Sequence, residues 1–552
     1  MSSKLPTKGG AFRLFIKGAA LIAGAVRGDG GTWVKIVNAS KWFFVARSGV
    51  SAYDAWNQDS LGKEQGTASK QQGIQVNSTA SESALPIVYG LAKVGLKIID
   101  VRQVDAAGYK TMSVTGAYAI GSGGGNATAE RGISGVGKVY FDETLAINGA
   151  EESANSGAGN PTKTNVVQTQ FWNGSSVAWG TAWFLRYMIH TGNQTAVDYY
   201  LNNQHSYYTT AGGAWGTQTI GQGIAYATFW VFYDTDAYPN GLPNITMEMS
   251  GNKVPNVTNL TLAQAYSTNP ANCIYDFMTS KTYGMGIPGY DIDTASFEVA
   301  RAFCDESVSF TLASGSGYTF TRYRCDGILN SGESPMANIQ KLLTCCNGRI
   351  VYENGMYTLK LRKVTSAETF QLDETNIVGD LSFRRAGIDD TCNSITVTYI
   401  DKLQNYQPQS LTWPYPGDAN PYLVEDSGFL NELAVELPFT NHEYRAALMA
   451  SQILLETRAD MTCTLTAQRE ALKLTVGSVV KVSHSTPDWD EQLMWVEAVS
   501  LRGDGLVSLA LKEYVAATYT PPIIQNLVAI VANNLPAQYS SGTGILPGEG
   551  PL

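Results

Sequence analysis

The sequence predicts an α+β, β-rich chain of several domains, and three observations carry that reading. At 552 residues the chain exceeds what one hydrophobic core holds and suits roughly three to four domains. Gly 55, Tyr 29 and Trp 11 stand beside many Thr, Asn and Ser, a mixture that favours short strands and tight turns. Apolar residues take helical spacing with clear start signals only in a middle stretch and once more near the end.

Residues 1–150 are expected to form an N-terminal β-rich domain, since strand-like runs such as "TWVKIVN", "KWFFVAR", "LPIVYG", "LKIIDVRQV" and "KVYFDETLAING" alternate with polar loops. Residues 151–222 are rich in Asn, Gln, Thr, Trp and Tyr and nearly free of charge, and read as an aromatic, polar β insertion. Strands return over 223–258, with Pro-Asn-Gly and Ser-Gly-Asn read as turns.

Residues 259–365 read as a compact α+β module. Asn269 with Pro270 gives a helix cap and first turn, and Ile274, Phe277 and Met278 share a face. Tyr283-Gly284-Met285-Gly286 then turns the chain, with glycine where side chains would obstruct. Asp293 caps a second helix carrying Phe297, Ala300 and Cys304. Ser334 and Pro335 open a third, with Ile339, Leu342, Leu343 and Cys346 at i, i+3, i+4 and i+7, and Gly348 is its expected stop. Asn354-Gly355 supplies a hairpin turn. Residues 366–517 are expected to be strands again, interrupted by one helix that opens on the box Thr440-x-x-Glu443. Residues 518–552, rich in Pro, Gly, Ser and Asn, read as a tail that is flexible alone or docked on a partner.

The charge balance narrows function. A net charge of −10 with no Lys/Arg-rich run argues against phosphate-neutralising nucleic-acid binding. The seven cysteines are scattered and begin only at Cys273, so they read as buried reduced thiols rather than a disulfide framework. "RLFIKGAALIAGAVRG" is interrupted by Lys17 and is far short of a membrane span, so the chain is expected to be soluble and cytosolic when made.

No catalytic, cofactor-binding or metal-ligating residue is assigned. His190, His205, His442 and His484 show no metal-ligand spacing, and His442 is expected to be solvated in a helix's first turn. There is no G-x-S-x-G. Cys345-Cys346 is expected to be one buried and one shielded thiol. The "DID" at 291–293 and "DWDE" at 488–491 lack a calcium loop's ligand series, and "GSGGGNA" lacks the ending of a phosphate loop. Arg27-Gly28-Asp29 and Arg502-Gly503-Asp504, each followed by Gly, read as turns.

Several motifs, taken in order, resemble the tip attachment or central tail hub protein of lambda-type long-tailed bacteriophages. They are "ALPIVYGLAKVG", "GISGVGKVYFDE", "FYDTDAYPNGLPNITMEMSGNKV", "YSTNPANCIYDFMTSKTYGMG", "ARAFCDESV", "RYRCDGIL", "LLTCCNGRIVYENGMYTLKL" and "HEYRAALMASQILLETR" before "LKLTVGSVVKVSH". The likeness covers about residues 84–515, with Asn272 standing where the family often has tryptophan. It implies β-barrel-like hub domains with an inserted α+β module, and a non-enzymatic virion protein without cofactor. It further implies a homotrimer at the tail tip that contacts the distal tail protein, the tape-measure protein and other tip proteins or fibres, with DNA only passing through the lumen. The family's long host-range region finds no counterpart here, so receptor binding is expected to lie with other proteins. A glycan-binding or glycan-degrading tip is the rival reading, supported by the aromatic 151–222 stretch.

Overall fold

A computed structural model describes residues 84–106, 109–121, 132–150, 166, 185–198, 220–232, 238, 242–311, 317–387 and 391–521. The expectations for residues 1–83, for most of 151–222, for His205, Arg27-Gly28-Asp29 and most of "GSGGGNA", for Pro239-Asn240-Gly241 and for 522–552 fall outside them. The chain forms two compact units, each assembled from separate stretches. It is β-rich with few helices, and among the described residues no sheet closes into a barrel.

The first unit draws on described residues from 84 to 286 and on 324–342. A four-stranded antiparallel sheet runs in the order Lys97–Ala106, Tyr109–Ile120, Ile224–Phe232, Leu185–His190. In a second sheet Ile245–Val254 pairs Ile133–Phe141 on one side and Leu91–Gly95 with Ala265–Tyr266 on the other, while Thr144–Asn148 flanks Ile133–Phe141. Leu185, Tyr187, Phe229 and Val114 from one sheet and Val139, Phe141, Ile147 and Met247 from the other share one buried cluster. Half-buried strands thus bury a common face, the usual source of sheet stability.

Ser250-Gly251-Asn252 is not a turn; it lies inside Ile245–Val254. A Cβ at Gly251 would sit 2.3 Å from the Val88 carbonyl oxygen, so this glycine lets the strand Pro86–Tyr89 approach the sheet. Pro86–Tyr89 itself pairs antiparallel with Gly327–Asn330.

Helix α1, Pro270–Thr279, starts as expected, with the Asn269 side chain accepting from the Ala271 N–H at 3.0 Å. Gly284 explains the following turn, because a Cβ there would fall 1.9 Å from the Phe277 carbonyl oxygen. Asn272, where the resembled family often has tryptophan, is buried. Its oxygen accepts from Val257 N–H at 3.1 Å and its amide donates to Ser267 Oγ at 3.0 Å, so a polar clasp replaces aromatic packing.

The second unit draws on 287–323 and on residues from 343 onward. Helix α2, Thr294–Cys304, follows Asp293 and buries Phe297, Ala300 and Cys304. Helix α3, Pro335–Leu343, belongs to the first unit up to Leu342 and has its Ser334 hydroxyl accepting from Ala337 N–H. A 3₁₀ turn, Thr344–Cys346, continues it, and the stop is Asn347 in the left-handed region at φ 48 rather than Gly348. Gly348 begins the strand Gly348–Glu353, which returns through Asn354-Gly355 to Met356–Leu361.

A six-stranded sheet has the order Ala367–Leu372, Val479–His484, Trp489–Leu501, Val507–Glu513, Met461–Ala467, Ser382–Arg385. Met461, Cys463, Leu465 and Ala467 alternate into its core. In a three-stranded sheet Ser394–Asp401 lies between Gln407–Trp413 and Glu432–Leu437. The short helix α4, Pro421–Glu425, precedes the last of these, and α5, Glu443–Arg458, follows it.

The cap of α5 is His442, not Thr440. Extended at φ −147 and ψ 135, His442 accepts the Tyr444 N–H on Nδ1 at 3.2 Å and is half-buried with its ring 5.1 Å from that of Tyr444. Thr440 N–H is instead bonded to the Leu437 carbonyl. Thr518 and Tyr519 are buried rather than part of a free tail, and Tyr519 accepts from Trp495 Nε1 at 3.2 Å.

Candidate functional site: an assembly surface at residues 421–431

Two of the motif stretches converge on one buried carboxyl. Asp276 of α1 accepts from the Tyr89 hydroxyl and from the Tyr283 hydroxyl, both on Oδ2 at 2.7 Å. Burial lifts its pKa to about 6, against the lowering effect of the two phenols. Gly90 beside Tyr89 is required twice over: its φ is +62, and a Cβ would meet the Cys325 carbonyl oxygen at 2.1 Å. Asp326 then accepts the Leu91 N–H at 2.8 Å. The "PIVYG", "YDFMTSKTYG" and "RCDG" segments are therefore one interlocked structural joint.

Several other groups singled out in the sequence are, among the described residues, engaged in the fold. His190 is buried against Asp198 at 2.8 Å, with its ring 4.5 Å from Tyr226. Asp504 accepts the Leu506 N–H in the turn between two strands. Cys345 and Cys346 are both buried, and the chain there is a 3₁₀ turn rather than the helix expected. Burial, and then the Asp401 charge, push Glu443 up to about 7. Asp401, however, is spent on accepting the Leu403 N–H at 2.8 Å. Among the described residues no group of three His, Cys, Asp or Glu side chains is arranged to hold a metal ion.

A different region is built to be seen from outside. Asn420 caps α4, its oxygen accepting from Leu423 N–H at 3.1 Å, with Pro421 in the first turn. Ser427 and Gly428, at φ 56 and 83, bend the chain back so that Gly428 N–H reaches the Leu423 carbonyl at 2.8 Å. Asn393, fully buried, clasps the bend: its amide donates to Asp426 at 2.8 Å and to the Phe429 carbonyl at 2.7 Å, and its oxygen accepts from Asn431 N–H at 2.9 Å.

Arg458, the last residue of α5, donates to Asp426 at 2.9 Å and to Glu425 at 2.7 Å and lies over the Tyr422 ring at 5.1 Å. Arg458, helped by Asn393, holds the Asp426 carboxyl below its ordinary range. So anchored, the loop leaves Val424 79%, Phe429 73% and Leu430 65% exposed. A cleft of about 360 Å³ adjoins it, lined by Gly387, Thr391, Asp426, Phe429, Arg458 and Asp460.

Three large apolar side chains held in this way would lose little conformational freedom if they were covered. Covering each stabilises by roughly 1.5–3 kcal/mol. Sequence reading passed over this segment, although Asn420-Pro421 repeats the cap-plus-proline signal of Asn269-Pro270.

Residues 334–495, which include this loop, match the family model described as "Putative phage tail protein". A curated relative, tip attachment protein J of Escherichia phage SECphi27, is 25% identical over 194 residues. This is a phage tail structural protein. The aligned stretch spans 32% of the tail protein and 16% of that relative, far below two thirds of its length. Among solved structures, a chain from the virion of a native gene transfer agent particle shares the fold of the tail protein at a TM-score of 0.54. Its sequence identity is 14%, and the match covers 82% of this chain and 90% of that one.

Proposed function

We propose that this tail protein is the central component of the tail tip, where three copies close the end of the tail tube and later open for DNA. The β-rich regions 1–150, 223–258 and 366–517 build the ring in barrel-like fashion, and 259–365 is the inserted module that lines or blocks the channel. The distal tail protein, the tape-measure protein and other tip proteins or fibres attach to it, and the ring carries no catalytic role.

The observation that carries the reading is the rigid loop with Val424, Phe429 and Leu430 exposed inside the family-matched segment. Apolar surface fixed in this way is a cost to a lone subunit and a gain to an assembled one. In a closed ring each copy presents such a patch to a different surface of its neighbour, so every patch is covered.

Replacing Phe429 and Leu430 by Ser tests this. Light scattering should give three chain masses for the purified wild type and one for the double variant, with unchanged far-UV circular dichroism. A wild type of six copies, or a variant that still trimerises, overturns the assignment.

A further inference from the structure

We propose that the exposed loop 421–431 and the cleft beside it receive residues 1–47 of a neighbouring copy. The pairing rests on the ring reading above, and it supplies the cover that the patch needs. Two opposite charge balances point to it. Residues 1–47 hold eight Lys or Arg against one acid, Asp29, although the whole chain is net −10. Of the stretches outside the described residues, this is the one with an excess of positive charge. It is also apolar and aromatic, as in "FRLFIKGAALIAGAV" and "KWFFVAR".

The receiving surface is its complement. Between Asp418 and Glu432 the chain carries Asp418, Glu425, Asp426 and Glu432 and no Lys or Arg. The cleft adds Asp460, so three carboxylates line it against one guanidinium. That guanidinium, Arg458, already bonds to Glu425 at 2.7 Å and to Asp426 at 2.9 Å. Glu425 and Glu432 are exposed in the same stretch as Val424, Phe429 and Leu430. An apolar patch flanked by one sign of charge selects a segment that is apolar and of the opposite sign.

Other occupants fit less well. Residues 522–552 are apolar in part, but Glu549 is their one charged side chain, so they would leave the carboxylates unmatched. A second copy of the loop itself would set acid against acid. Reach does not confine residues 1–47 to their own chain. The 36 residues from 48 to 83 extend to about 120 Å, several times the width of a domain. Each copy thus gives one segment and receives one, a heterologous contact that closes around a ring. Covering Phe429 and Leu430 also brings basic side chains to Glu425 and Asp460, so the contact weakens as salt rises.

The test couples amines to carboxylates in the purified wild-type chain with a zero-length carbodiimide, after light scattering has given its copy number. On a denaturing gel, bands of two and three chain masses should appear. Their digests should contain links from Lys4, Lys8, Lys17, Lys35 or Lys41 to Glu425, Asp426 or Asp460. Glu425→Lys should weaken assembly at least about tenfold by sedimentation, since like charges then face each other. A trimer whose links join residues 1–47 to another surface, lie only within single chains, or fail to form overturns this pairing and leaves the ring standing. A Glu425→Lys trimer of unchanged stability does the same. A wild type of one chain mass overturns both. The wild-type links decide the matter even where the Glu425 variant fails to fold.

Discussion

Asp276 shows what one side chain does in the first unit. Its folded pKa of about 6 stands above the ordinary value of 3.8, because burial disfavours the charge more than Tyr89 and Tyr283 favour it. The folded state therefore binds the proton more readily than the unfolded one. The stability this contributes is complete below pH 3.8 and is lost as pH rises through about 6, a swing of roughly 3 kcal/mol. Asp276→Asn keeps one oxygen for both phenols and removes the ionisation. Urea unfolding followed from pH 4 to 7.5 should slope downward in the wild type across this window and run flatter in the variant. Parallel profiles would show that the carboxyl does not titrate as the geometry implies. The tyrosines and the aspartate were all visible in the motif stretches. Their meeting was not, because Tyr89 and Asp276 are 187 positions apart and polar pairing at that range leaves no periodic trace.

At the scale of elements, local chemistry was legible and long-range pairing was not. Asn269-Pro270, Ser334-Pro335 and Asn354-Gly355 act where they were expected to, since caps and two-residue turns depend only on neighbours in the chain. Thr440 and Gly348 failed because a residue one or two positions away did the same work, His442 at one end and Asn347 at the other. What joins elements in the second unit is ionic and hidden. Arg349 in the hairpin donates to Glu497 of the strand Trp489–Leu501 at 2.8 Å, and Arg362 reaches Glu497 at 3.2 Å and Glu456 of α5 at 3.5 Å. Asn347 completes the set with a 2.8 Å bond to Glu456. Removing one member of such a cluster leaves buried charge without its counterpart. Glu497→Ala should accordingly cost about 3–5 kcal/mol in urea unfolding. A loss below about 1 kcal/mol would mean that water replaces the carboxylate there.

The whole molecule is woven rather than beaded: the chain passes from one unit to the other after 286, returns at 324 and crosses again at 343. Composition could not reveal that path, yet it does bear on what the assembled surface does to DNA. The chain is net −10, and many of its cations are held by carboxylates: Lys93 by Glu143, Lys341 by Glu333, Lys481 by Glu491 and Arg458 by Asp426. A cation already paired releases no counterion from a phosphate backbone, so it adds little to DNA affinity. A wall at the proposed place must let DNA slide, and such a wall needs this property. Fluorescence anisotropy with a labelled duplex at physiological salt should give a Kd weaker than about 10⁻⁴ M, the weak end of non-specific binding. Micromolar affinity that falls steeply with added salt would instead indicate gripping. The exposed edge strand Ser382–Arg385, whose successive Arg384 and Arg385 point to opposite faces, is where that grip would be sought by Arg→Ala replacement.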